Sequence, residues 1–298
     1  MLSAVDRTAG RGRSILLPFV LVSFAANSVI TRHVVGSGLL DPGLLSAARF
    51  VCGAIALVVV SLLKRERVVV GRPNALPALW LGVYAGTISY GYQHIGAAAG
   101  TFVFYAAVLV TLTANDLVQR IAVPGRRALG AAVALAGVGV LAAGSDASTG
   151  SGSVLGVALL AVTGVAWGRY TIAGRAVADP RSATTGHFVV VAAVAALPLS
   201  AGAAAGLHVT GVGLAWAAAM GVGTTALAYV AWYTCQRRLT GTAAGSVQLV
   251  IPVLAAVGAV LVLGERVSSA LFLASVLVGA GMWLARPPRI DAAVAQAR

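Results

Sequence analysis

Polar and aromatic side chains interrupt the long apolar runs of this 298-residue chain at a limited set of positions. They are Asn27 and Ser28, Tyr84 and Tyr90, Tyr105, Trp167, Arg169 and Tyr170, Tyr229, Trp232 and Tyr233, and Gln248. A helix that meets only hydrocarbon and apolar neighbours has no use for such groups, and burying one unpartnered costs free energy, so their places in mid-run predict a cavity. The chemistry on offer is recognition. Indole and phenol rings can stack on a planar or apolar solute, amides can hydrogen-bond it, and a guanidinium can grip a carboxylate or phosphate with its planar fork.

Each of these residues also has a structural reading. Arg169 lies about two thirds of the way through its run, so it is either an anion clamp or a long stem reaching the membrane surface about 8 Å away. Aromatic residues near run ends mark the lipid–water interface, which fits Tyr233, whereas Trp167 fits the cavity. Gln248 and Pro252 are one helical turn apart, and the proline either frees a carbonyl for the cavity or only bends its helix. Arg49 and His187 follow Asp41-Pro42 and Asp179-Pro180 at one spacing and form a candidate pair of gates, or else helix-end residues that meet headgroups. The Asp-Pro pairs read as a cap followed by a first turn. Gly264-Glu265 reads as a helix stop with an acid able to cap or pair.

Bond-making chemistry is not predicted. Asp6, Asp41, Glu66, Asp116, Asp146, Asp179, Glu265 and Asp291 all fall at run ends or in connections, so a carboxylate proton relay is not expected. Proton coupling would fall to His94, His187 or the substrate itself. His33, His94, His187 and His208 are scattered, and no HExxH motif or nucleophile elbow occurs. Cys52 and Cys235 stand alone in apolar runs as small core residues. No catalytic residue, metal site or cofactor is therefore predicted, against the rival of a membrane-embedded enzyme. The other rival, a receptor or scaffold, would need sizeable loops or tails.

The elements that position these residues follow from composition. With 59% hydrophobic residues, 10% charged residues and a mean hydropathy of +0.93, the chain cannot clothe a soluble globule, and lipid is its expected solvent. Ten apolar spans are predicted: Ile15 to Val35, Leu44 to Leu63, Ala75 to Ile95, Ala98 to Val118, Ala128 to Gly144, Val154 to Gly174, Thr185 to Ala205, Val212 to Cys235, Ala243 to Leu263 and Ser269 to Ala285. The first resembles a signal peptide in its leading Arg7, Arg11 and Arg13, but its apolar run continues to Val35, which favours an uncleaved span.

Alternate connections carry nearly all of the 21 Lys and Arg residues. The opposite set holds only Arg32 and Arg266, with Arg49 and Arg169 inside spans. The bias predicts a multi-pass protein of the cytoplasmic membrane with both termini cytoplasmic. The net charge of +13 is spread among these connections with no basic face, so nucleic acid is not an expected partner. A small-molecule substrate and the bilayer are, and the sequence carries no sign of oligomeric state.

The segment 145–153 divides the chain into halves, 1–144 and 154–298, each of five spans. Gly96-Ala-Ala-Ala-Gly100 echoes Gly241-Thr-Ala-Ala-Gly245, as the two Asp-Pro sites echo each other. An odd number of spans per half inverts one half relative to the other. Inverted repeats are the signature of carriers that rock about a midplane site, although duplication alone would leave the same trace.

The run from Gly245 through Gln248 and Pro252 to Leu263-Gly264-Glu265-Arg266 resembles the ninth helix of EamA-type members of the drug/metabolite transporter superfamily. Ala47-Ala-Arg49-Phe50, Ala166-Trp167-Gly168-Arg169-Tyr170 and Tyr229-Val-Ala-Trp232-Tyr233 match in order across the chain. The resemblance implies an all-α, ten-helix inverted-repeat membrane fold that exports or exchanges amino acids and other small metabolites. The first half departs from the pattern, with Ala107 where the family tends to have Pro and Arg120 where it has Glu.

Overall fold

The computed structural model describes residues 2–66, 68–121, 123–143, 153–174, 177–205, 207–236, 248 and 250–285. Ten helices account for almost all of them: α1 Leu2–Gly36, α2 Pro42–Leu63, α3 Arg72–His94, α4 Ala97–Val118, α5 Gly125–Ala143, α6 Val154–Gly174, α7 Pro180–Ala205, α8 Gly211–Gln236, α9 Val250–Leu263 and α10 Ser269–Ala285. In lipid every backbone polar group must be bonded within its own segment, which apolar runs of this length achieve as helices. The stretches Leu16–Gly36, Pro42–Leu63, Ala97–Val118, Val154–Gly174 and Gly211–Gln236 are each long and apolar enough to cross a bilayer, and α9 and α10 are shorter apolar helices. Most of the segment 145–153, the Gly241–Gly245 echo and the expected start of the ninth span lie outside the described residues.

Helix α7 starts five residues before the expected Thr185. Asp179 Oδ1 accepts the N–H groups of Arg181 and Ser182 at 3.0 and 3.4 Å, so the Asp-Pro pair does supply cap and first turn. Asp41 likewise holds the N-cap position of α2, with Pro42 in its first turn, but its side chain makes no capping hydrogen bond. Its Oδ2 instead accepts the His208 N–H at 2.7 Å, beside a single antiparallel bridge between Leu40 and Val209. Both pairs therefore supply cap position and first turn as expected, and they differ only in where the aspartate side chain bonds.

The bundle has an Arg-poor and an Arg-rich end. At the first, the α1–α2 connection meets the α7–α8 connection, Ser153 N–H bonds His94 O at 3.1 Å, and Glu265 reaches the start of α4. At the second, Arg181 pairs with Glu66, Arg127 with Asp116, and Arg126 Nε bonds Leu284 O at 3.0 Å. These contacts join connections of the same alternate set, as an up-and-down bundle requires.

Helices from before and after the segment 145–153 interleave: α3 and α4 pack on α6, α2 on α7 and α8, α1 and α4 on α9, and α5 on α10. Lipid tails are as apolar as the helices, so close backbone approach at small residues holds them together. A Cβ on Gly130 would lie 2.3 Å from Gly281 O, and one on Gly281 would lie 2.4 Å from Gly130 O. Helices α2 and α8 touch similarly at Gly53 and Gly221, where a Cβ on Gly221 would lie 2.4 Å from Arg49 O. There α8 widens into a π-helical stretch over Met220–Leu227, a feature that often marks functional sites.

Candidate functional site

The aromatic rings of α1, α3, α4, α6 and α8 meet in the middle of the bundle. Phe24, Asn27 and Ser28 share one face of α1 through their spacing of three and four residues, and they line a cavity with Tyr84, Phe104, Tyr105, Trp167 and Tyr229. Trp167 is its centre. Its ring centroid lies 4.8 Å from Tyr229, 5.2 Å from Phe24 and 5.4 Å from Tyr84. Its Nε1 donates to Gln248 Oε1 at 3.0 Å, which fixes the indole's orientation and places Gln248 behind the wall. Trp232 packs edge-on to Phe24 at 6.2 Å. The remaining space is about 10 Å³, no more than one water requires, so the rings are closed on one another.

Arg49 is fully buried against this chamber, which corrects its placement among the headgroups. It stands seven residues into α2, about 10 Å below the helix start, with α8 pressed against its backbone. Its Nη1 donates to Asn27 Oδ1 at 3.0 Å, and its Cζ lies 5.2 Å from the Phe50 ring centroid and 5.9 Å from that of Tyr84. Among the described residues Nε and Nη2 find no hydrogen-bond partner. Asn27 is the hub of this arrangement. It accepts also from Thr31 Oγ1 at 3.4 Å and donates through Nδ2 to Thr225 Oγ1 at 3.3 Å, in the π-helical stretch of α8.

His187 lies toward the Arg-rich end and is also buried. Its Nδ1 is 3.2 Å from the Tyr170 hydroxyl, and Tyr170 stacks on Tyr233 with centroids 5.0 Å apart. Tyr233 is therefore not an interfacial residue: it is fully buried, and its hydroxyl donates to Tyr170 O at 3.1 Å. The packing of α6 and α7 over the end of α8 buries it.

Two candidates stand apart. Tyr90 is 45% exposed and lines a lateral groove of about 660 Å³ between α2, α3 and α7. Arg169 is exposed, with its Cζ 5.5 Å above the Trp80 ring. Helical phase explains both. Arg169 is two residues from Trp167, or about 200° round the helix, and Tyr90 is six from Tyr84, or about 240°. If one member of each pair faces the chamber, the other faces away. The same arithmetic finds Phe24, which sequence reasoning missed: it lies three residues before Asn27 and touches Trp167, Tyr229 and Trp232. Thr225 has no comparable signal, since the wide turn breaks the helical period. Among the described residues no group of three or more His, Cys, Asp or Glu side chains converges as a metal site would.

Long apolar helices around a buried chamber of rings and an amide, with a guanidinium bonded to that amide from behind, define a multi-pass helical membrane protein. The profile of the EamA-like transporter family matches residues 154–286. An uncharacterized protein of Pseudomonas aeruginosa is 34% identical over 283 residues, covering 94% of this chain and 97% of that one. A solved crystal structure superposes with a TM-score of 0.65 at 20% identity, covering 92% of this chain and 97% of its own, a likeness of fold. The chain belongs to the EamA-like transporter family and is a membrane transporter of the drug/metabolite type.

Proposed function

We propose that the chain is an alternating-access carrier that exports a small metabolite, an amino acid or organic anion, across the cytoplasmic membrane. Its substrate site is the chamber around Trp167. The observation that carries this reading is the origin of the walls: Phe24, Tyr84 and Tyr105 come from helices before residue 145, and Trp167 and Tyr229 from helices after residue 153. A relative motion of two five-helix halves, 1–144 and 154–298, would open such a chamber to one side or the other. Contacts close both ends: Glu265 on α4 and Asp41 on His208 at the Arg-poor end, and Arg181 with Glu66 at the Arg-rich end. Charge bias makes the Arg-rich end cytoplasmic, with both termini there.

Counterflow tests the reading. Proteoliposomes preloaded with a metabolite that raises the purified protein's melting temperature are expected to take up its labelled form by exchange. Uptake no greater than in empty liposomes, for every compound that binds, would refute it. Terminal tags that a protease reaches from the outside of intact cells would overturn the orientation.

A further inference from the structure

Arg49 carries a charge that nothing in the described structure neutralises. The acidic residues whose side chains are described are engaged elsewhere: Asp41 on the His208 amide, Glu66 with Arg181, Asp116 with Arg127, Asp179 at the start of α7 and Glu265 on α4. All of them sit at the ends of the bundle, whereas Arg49 is fully buried and its only hydrogen-bond acceptor among the described residues is a neutral amide oxygen. An arginine keeps its charge where a lysine or histidine would shed a proton, and an uncompensated buried charge is costly. The rings of Phe50 and Tyr84 offset part of that cost by their negative faces.

The free donors have a shape. Nε and Nη2 form one edge of the guanidinium, two parallel N–H groups that match the two oxygens of a carboxylate, while Nη1 on the other edge is held by Asn27. We propose that this edge is the anion-binding element of the chamber and that its ligand is a small organic monocarboxylate with a flat apolar body. This rests on reading the chamber as a substrate site, and it narrows the substrate class. A monoanion cancels the charge of Arg49, whereas a zwitterion brings an ammonium for which the chamber has no carboxylate among the described residues. The body of the ligand takes the place that Tyr84, Trp167 and Tyr229 now fill with one another, so binding separates those rings. Asn27 holds the guanidinium in register when no ligand is present.

The test is a thermal-shift titration of the full-length protein in detergent with sodium phenylacetate, its neutral analogue phenylacetamide, zwitterionic phenylalanine and sodium chloride. A saturable rise in melting temperature is expected with phenylacetate only. Arg49→Gln is expected to abolish it. Asn27→Asp, which supplies a carboxylate from the protein, is expected to raise the ligand-free melting temperature and also abolish the response, which serves if the glutamine variant does not fold. A shift that persists in either variant, an equal shift with phenylacetamide, phenylalanine or chloride, or no shift with phenylacetate overturns the proposal. Counterflow separates this from the carrier reading. Binding that needs Arg49 without any protein-dependent exchange would leave the anion site standing and sink transport, and exchange undiminished in Arg49→Gln would do the reverse.

Discussion

Glu265 places a carboxylate oxygen on the first amide of α4: its Oε1 accepts the Ala97 N–H at 2.6 Å, while Oε2 accepts that of Ala98 at 3.2 Å. Gly96 leaves room for this approach, since a Cβ there would lie 2.8 Å from Oε2. Arg32 stands 3.9 Å away and donates through Nη1 to Tyr92 O and Gln93 O. One acid in the α9–α10 connection thus gathers the start of α4, the end of α3 and α1, with the positive end of the α4 dipole under its charge. The expectation that Gly264-Glu265 stops a helix and caps or pairs nearby is met. Gly264 takes φ +65, and the capped helix is α4, from the other half of the chain.

Glu265→Gln is expected to weaken this closure by about 1 kcal/mol. Two measurements check it: a lower melting temperature, and faster modification of a Ser28→Cys reporter by a membrane-impermeant maleimide applied at the Arg-poor side. If both stay at their starting values, Glu265 does not hold that end shut.

The Asp116–Arg127 pair joins α4 to α5 with both side chains 6% exposed. Removing one partner leaves a buried charge, so Asp116→Ala is expected to destabilise by about 3–5 kcal/mol, and adding Arg127→Met should recover much of the loss. Thermal unfolding of both single variants and the double variant decides this, and losses that simply add would show that the pair is not coupled.

At the α5–α10 crossing, Gly130→Ala puts a methyl against Gly281 O and is expected to cost about 1–3 kcal/mol. Gly139, on the same helix, has nothing within 4 Å of its notional Cβ. Gly139→Ala should therefore be neutral, or stabilising by up to about 1 kcal/mol through helix propensity. Melting curves of the two variants, compared side by side, test whether contact or propensity governs this helix.

Arg169→Ala is expected to leave both substrate affinity and exchange rate near wild type, because its guanidinium lies over Trp80 and outside the chamber. Kinetics of counterflow measure this directly. A large rise in the half-saturating substrate concentration would return Arg169 to the substrate site.

The sequence by itself determined where the helices run and which group of residues to suspect. The expected starts of α6 and α10, Val154 and Ser269, are those observed, because apolar length and terminal polarity set a membrane helix locally. Which face of each helix looks inward was decided by tertiary packing. In a soluble helix the polar stripe reveals the outside, but here lipid and core are equally apolar, and a helix hydrophobic all round carries little phase. Arg49 and Arg169 therefore read alike as lone cations in apolar runs, yet α8 crosses at Gly221 against the first, which is buried beside Asn27, while the second lies exposed over Trp80. Spacing along one helix could have shown that Trp167 and Arg169 face apart. Only the meeting of α1, α2 and the wide turn of α8 could show which arginine the chamber keeps.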